Sequence, residues 1–279
     1  MVIARTVAEL RAAVADLRRA GKTIGMVPTM GCLHAGHLAL VDLARREASA
    51  CVVSIFVNPT QFGPKEDFAR YPRPFEEDCR LCEGRGVDIV FAPGADFYAA
   101  DSSTWVTEEA VSQGLCGEHR PGHFRGVATV VLKLLNACGP DVAVFGRKDL
   151  QQLAVIRRMV RDLDVPVRVV AAPTEREADG LAMSSRNRYL SAEERARARV
   201  IPESLRRAQA LVAAGERSAA TLLDTARGQL AGEPLLRLQY LEVVDADSLR
   251  PVASVAPGRT VLALAAFLGA TRLIDNVDL

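Results

Sequence analysis

Short apolar runs alternate with helix-period segments through the first 171 residues, and that alternation restricts the fold more than any other feature. The runs at 22–28, 51–57, 87–91, 141–145 and 165–171 read as buried strands. Between them, apolar residues recur at three and four. Thr6-Val7-Ala8-Glu9 is a capping-box pattern, followed by Val7, Leu10, Val14 and Leu17 on one face and Gly21 as a stop. The residues before it, 1–6, are expected to run straight into that helix. Further helices are expected from the turn after Pro28 to about Ser49, over 75–85, over Val127 to Ala137, and from Asp149 with Leu153, Ile156 and Val160 on one face. Strands separated by helices predict an α/β fold, a parallel sheet with helices on both faces.

After Arg188 the pattern changes. Ser191-Ala-Glu-Glu194 is a second capping box, expected to open a long Arg- and Ala-rich helix. A helix over Ala219 to Leu230 and extended runs at Leu236 to Val244, Thr260 to Leu268 and Arg272 to Ile274 complete a smaller α+β domain. The expected division is 1–175 and 176–279.

Ligands of parallel α/β sheets gather outside the carboxyl ends of the strands. Polar clusters follow the strands here: Pro28 to His37, Asn58-Pro-Thr-Gln61, Phe145 to Asp149, and the Met183-Ser-Ser-Arg186 loop. The first joins a strand to a helix, where free N–H groups and the helix dipole favour an anion. Gly31 and Gly36 allow phosphates close to the backbone. His34 and His37, three apart, are expected on one helix face, where imidazoles can donate to charge growing on a phosphate. Lys148 offers a point charge, and Ser184, Ser185 and Arg186 form a phosphate clamp. Asp149 reads equally well as a helix N-cap and as a Mg²⁺ ligand. Gln61 and Gln152 suit the hydroxyl and carboxylate of a small polar acid. Together these residues point to attack of a substrate oxygen on the α-phosphate of ATP.

Composition narrows the alternatives. Lys plus Arg number 35 against 34 Asp plus Glu, which argues against a nucleic-acid binder relying on a strong positive field. There is no long uninterrupted apolar segment for a membrane span and no signal-peptide pattern, so a cytoplasmic protein is expected. Only Cys79 and Cys82 among the 6 cysteines have C-x-x-C spacing. With no second pair, they are expected to be buried or half-buried free thiols on a helix rather than zinc ligands.

PTMGCLHAGHL (28–38), FVNPTQFGPKEDFARYPR (56–73), GHFRGV (122–127), FGRKDLQQL (145–153), READGLAMSSRNRYLS (176–191) and TRLIDN (271–276) resemble the pantothenate synthetase family in order and spacing. His34-Ala-Gly-His37 alone is shared more widely, with the nucleotidyl-transferase superfamily. The resemblance implies a Rossmann-like first domain, a smaller lid domain and a homodimer. It implies an ATP-dependent ligase that joins (R)-pantoate to β-alanine through pantoyl adenylate, releasing pyrophosphate and AMP. By position it implies ATP contacts from Met30, Gly31, Cys32, Leu33, His34, Ala35, Gly36 and His37. It adds Gly146, Arg147, Lys148, Asp149, Glu175, Met183, Ser184, Ser185 and Arg186. His37 takes the place of the family's proton donor, with His34 and Lys148 beside it as catalytic candidates. Gln61 and Gln152 are implied for pantoate, Gln61 also for β-alanine, Tyr71 and Arg125 for shaping the site, and Asp78 and Asp149 for Mg²⁺. Cys32, Ala35, Arg147, Leu150 and Glu175 depart from the usual family residues. The rivals are another adenylyl transferase with the same His pair, such as phosphopantetheine adenylyltransferase or a tRNA-charging enzyme, and a non-catalytic nucleotide-binding module.

Overall fold

The computed structural model describes residues 1–64 and 66–279. In chain order its elements are β1 (Val2–Ala4), α1 (Val7–Arg19), β2 (Ile24–Thr29), α2 (Ala35–Glu47), β3 (Ala50–Ile55), α3 (Phe75–Gly84), β4 (Ile89–Phe91), α4 (Leu115–His119), α5 (His123–Cys138), β5 (Val142–Gly146), α6 (Leu150–Asp162) and β6 (Arg168–Ala172). Then follow α7 (Ala192–Arg197), α8 (Val200–Ala213), α9 (Ala219–Ala231), β7 (Leu236–Asp245), β8 (Thr260–Leu268) and β9 (Thr271–Asp278). Two compact units result. The first comprises 1–109, 120–147 and 155–173; the second comprises 110–119, 148–154 and 174–279.

The first unit is built on a six-stranded parallel sheet of order β1-β4-β3-β2-β5-β6. Its central strands are buried along nearly their whole length because both faces are covered. Val27, Val53, Val90 and Val144 share one core with Val41 and Ala44 of α2 and Cys82 of α3. The alternate residues Met26, Val52 and Ile89, in register with one another, face the other way. Helices α5 and α1 pack there, against β2 and β4. Thr6 and Glu9 form the expected capping box of α1. The chain runs from β2 outward through β3 to β4, then returns to place β5 on the other side of β2. The carboxyl ends of β2 and β5 therefore flank a topological switch point, the usual location of a ligand crevice.

The second unit holds a three-stranded antiparallel sheet, β7-β8-β9. Leu262, Leu264, Ala266 and Leu268 of β8 alternate toward a core with Ile201 and Leu205 of α8 and Leu222 and Leu230 of α9.

Two expectations from the sequence are corrected by the structure. Residues 2–4 form an edge strand parallel to β4, so the chain does not run straight into α1. The helix opened by Ser191 stops at Arg197, and α8 begins anew at Val200. Pro202 has no N–H to give Ala198, and its ring crowds the carbonyl one turn back. The Cys79–Cys82 pair lies on α3, with Cys79 half-buried and Cys82 buried, and all six cysteines are free thiols. Burial pushes the Cys82 thiol up to about 12, with Cys79 and Asp78 adding to the effect, so it is inert as a nucleophile. Among the described residues no helix is long and apolar enough to cross a membrane.

Candidate active site

The turn after β2 is held from beneath by one carboxylate. Asp78, in the first turn of α3, is 1% exposed. Its Oδ2 accepts the Cys32 N–H at 2.8 Å and its Oδ1 the Leu33 N–H at 2.7 Å. Gly31 has φ 79° and Cys32 φ 52°, both left-handed, so these residues turn the chain back before α2. A Cβ on Gly31 would stand 2.9 Å from Asp78 Oδ2. Thr29 Oγ1 accepts the Gly31 N–H and donates to Ser54 O, fixing the same turn to β3.

His34 is the N-cap of α2 rather than a residue on its face. Its Nδ1 accepts the Gly36 N–H at 3.1 Å, and His37 Nδ1 accepts the His34 N–H at 3.3 Å. The ring centroids lie 4.1 Å apart. This is a capping box made of imidazoles, with His34 and His37 in the roles of Ser and Glu. An Nδ1 that accepts a hydrogen bond leaves the ring proton on Nε2, so each neutral ring carries its donor on the far nitrogen.

Gln61 sits at the end of a 3-10 turn, 59–61, after β3. Asn58, 1% exposed, donates from Nδ2 to Gln61 Oε1 at 3.0 Å and to Gly126 O at 3.2 Å. The Gln61 oxygen is thereby occupied, and its NH₂ lies 3.3 Å from Met30 Sδ. Gln61 thus offers donors, the groups that a carboxylate or hydroxyl oxygen requires. Tyr71 is buried edge-on against Phe62. Arg125 is exposed, its guanidinium 4.7 Å over the Trp105 ring, while its neighbours His123, Phe124 and Gly126 are buried.

In the second unit, the Lys148 carbonyl accepts from Asn276 Nδ2 at 2.9 Å, which ties the segment before α6 to β9. Lys148 Nζ stands 3.9 Å from Asp149 Oδ2. Asp149 belongs to a 3-10 turn, 147–149, that runs into α6, so it is not an N-cap. Its side chain is 46% exposed. Gln151 is buried and holds the 111–117 segment through four hydrogen bonds. Its neighbour Gln152 is half-buried.

The loop carrying Ser184, Ser185 and Arg186 is braced at several points. Met183 N–H donates to Glu175 O, closing a narrow turn over 175–183. Glu175 itself is exposed, so its backbone carbonyl does the work there. Arg176 makes a two-pronged pair with the buried Asp275 of β9 at 2.7 and 2.9 Å. Arg195 of α7 joins Glu177 and Asp179, and Asn187 donates to Glu177 and to Ala182 O. The Arg195 guanidinium holds the Asp179 carboxyl below the usual carboxylate range. Ser184 caps the 3-10 turn 185–189, its hydroxyl accepting from Arg186 N–H at 3.3 Å.

A family model described as pantoate-beta-alanine ligase matches residues 2–278. The chain belongs to the pantoate–β-alanine ligase family. It is 56% identical over 280 residues to pantothenate synthetase 1 of Bradyrhizobium diazoefficiens, spanning 100% of this chain and 98% of that relative. Its fold matches the pantothenate synthetase of Thermus thermophilus with a TM-score of 0.95 at 46% identity, covering 100% and 99% of the two chains. The pantoate-β-alanine ligase of Francisella tularensis, crystallised with beta-gamma ATP and β-alanine, gives a TM-score of 0.82 at 31% identity, covering 100% and 97%.

Helix α5 packs closely on the turn that carries Gln61. A Cβ on Gly126 would lie 2.3 Å from Thr60 O and 2.8 Å from the Gln61 Cα, both backbone atoms that cannot swing aside. Gly126→Ala is expected to lower stability by about 1–3 kcal/mol by displacing the Gln61 backbone and, on the reading that Gln61 holds the acid substrate, to weaken use of that acid about tenfold or more. Thermal unfolding and steady-state kinetics on the purified variant check both. The family motif 122–127 marks this helix start, but neither Gly126 nor Asn58 carries a charge or nucleophile to draw notice as a site residue.

Proposed function

We propose that this chain is an ATP-dependent ligase that condenses (R)-pantoate with β-alanine, and that the fixed amide of Gln61 is what recognises the acid. A pantoate carboxylate oxygen attacks the α-phosphorus, and the bond from that phosphorus to the bridging oxygen of pyrophosphate breaks. The β-alanine amine then attacks the acyl carbonyl of pantoyl adenylate, the acyl–phosphate bond breaks with AMP as leaving group, and the amine gives up its proton. A carboxylate is a poor acyl donor; adenylation supplies the leaving group it lacks.

The residues divide this work. Met30 to His37 line the phosphates as a turn whose N–H groups at 31–34 and 36 are fixed by partners within the protein. The donors it offers phosphate oxygens are therefore the two Nε2–H groups of His34 and His37, in a geometry that costs no reorganisation during transfer. Gln61 and Gln152 hold pantoate, Gln61 also serves β-alanine, and Tyr71 backs the turn that carries Gln61. Lys148, with Gly146 and Arg147 before it, meets the phosphates, as do Ser184, Ser185 and Arg186; Met183 and Glu175 complete the nucleotide contacts. Arg125 is better placed to shape the outer wall at Trp105 than to touch substrate.

A Mg²⁺ ion needs few protein oxygens when phosphates supply the rest. The exposed Asp149 carboxylate fits that need, whereas both Asp78 oxygens already accept backbone N–H groups. Bound beside Asp149, the ion would neutralise phosphate charge. We assign residues 176–279 the part of a lid that keeps water from the adenylate, and the active form is a cytoplasmic homodimer, as the family resemblance implies.

The decisive experiment is ATP–pyrophosphate exchange with a panel of acids. (R)-Pantoate should support exchange without any amine, and AMP should appear only when β-alanine is added. Exchange driven by an amino acid, or none with pantoate, refutes the substrate assignment.

A further inference from the structure

Gln61 is gripped by its main chain as well as by its side chain. His123, the first residue of α5 and 9% exposed, places Nδ1 2.8 Å from Gln61 O. Its Nε2 lies 2.9 Å from Arg120 Nη1. A carbonyl can only accept and a guanidinium can only donate, so the ring must carry its proton on Nδ1 and accept at Nε2. Arg120 is in turn locked by Glu66. Its Nε and Nη2 donate to the two carboxylate oxygens at 2.6 and 2.7 Å, and the Gly63 N–H donates to Oε2 at 3.1 Å. Burial pushes the Glu66 carboxyl up, but the Arg120 guanidinium and the Gly63 N–H more than reverse this and hold it below the usual range. Arg120 Nη2 also reaches Gln61 O at 3.4 Å.

Resting on the reading of Gln61 as the residue that holds the acid substrate, we infer that Glu66, Arg120 and His123 form a positioning clamp that fixes the Gln61 backbone and so sets affinity for that acid. The chain of contacts has a direction. Glu66 orients Arg120; Arg120 selects the Nδ1–H tautomer of His123; that tautomer donates to Gln61 O. None of the three needs to touch substrate. Asn58 orients the amide, and the clamp places the Cα from which the amide extends. A stretch of 54 residues separates Glu66 from Arg120, so the clamp ties the loop after β3 to the start of α5.

The test compares His123→Asn with His123→Gln. Both are small polar amides, but an asparagine amide sits where Nδ1 was and a glutamine amide where Nε2 was. In exchange assays, His123→Gln and Arg120→Met should raise the pantoate KM about tenfold, with kcat and the ATP KM changed by less than about threefold. His123→Asn should restore the pantoate KM to within about threefold of the parent. A substrate-free readout accompanies this: amide hydrogen exchange over 59–63 should quicken in His123→Gln and stay slow in His123→Asn. Equal behaviour of the two amide variants, or a rise in ATP and pantoate KM together, overturns the clamp. Unchanged exchange protection overturns it whatever the acid substrate proves to be, whereas a parent enzyme inert with pantoate but showing the protection pattern refutes only the substrate.

Discussion

His37→Asn should slow pantoate-dependent pyrophosphate exchange by about 10²–10⁴-fold while leaving the melting temperature close to that of the parent. The two halves of that expectation come from different atoms of one ring. His37 Nδ1 accepts the His34 N–H, a capping function that an asparagine oxygen reproduces from a similar position. The Nε2–H, by contrast, has no counterpart in asparagine. The substitution therefore keeps the helix start and removes only the Nε2 donor to which the proposed function assigns phosphate charge. His34→Asn is the companion: asparagine is itself a preferred N-cap, so α2 should start as before and any loss of rate belongs to the missing Nε2–H. Single-turnover exchange at saturating ATP gives the rate, and thermal unfolding gives the stability. A parent-like rate in His37→Asn would remove the ring from the chemistry. A fall of several degrees in melting temperature would mean that the cap, not the chemistry, was lost.

The elements that were legible in the sequence are those whose burial is two-sided or strongly periodic. The strands β2, β3 and β5 are almost wholly apolar and buried, and α1 announces itself by Thr6 and Glu9. Strand β1 was not legible because it has three residues, sits at the sheet edge, and leaves Val2 and Ile3 52% and 44% exposed. The helix after Ser191 read as continuous because its composition is uniform; the single Pro202 breaks it. Helix α5 begins four residues before the expected Val127, so His123 enters its first turn and comes within reach of Gln61. The candidate site divides the same way. Histidines, lysine and glycines at a strand–helix junction carry their chemistry in their type and spacing. Asn58, Glu66, Arg120 and His123 matter through contacts across tens of residues, to Gly126, to each other and to Gln61, which no local pattern records. Asp78 is the instructive case. In sequence it is the third of three acids at a helix start, and the family resemblance implies it for Mg²⁺. Only the fold reveals that both of its oxygens are spent on the turn before α2.

Asp78→Asn should accordingly destabilise the first unit by about 2–5 kcal/mol and raise the ATP KM about tenfold or more. The buried carboxylate receives two short N–H bonds, each charge-assisted and stronger than a neutral bond. An asparagine supplies one oxygen and must turn its NH₂ toward the other backbone N–H, setting donor against donor. One of the Cys32 and Leu33 amides is then buried without an acceptor, in a turn whose residues 31 and 32 already hold positive φ. The turn has little reason to keep that shape once the carboxylate is gone. If Asp78 acted instead as a metal ligand, raising the Mg²⁺ concentration would recover much of the lost activity, and stability without nucleotide would barely change. Asp149→Asn is the contrasting variant, because its carboxylate is 46% exposed and holds no backbone group in place. It should unfold within about 0.5 kcal/mol of the parent, with a Mg²⁺ requirement shifted upward. Denaturant titration without ligand, followed by Mg²⁺ titration of the exchange rate, separates the two carboxylates. Recovery of Asp78→Asn by Mg²⁺ alone would return that residue to the metal site and leave the turn without its anchor.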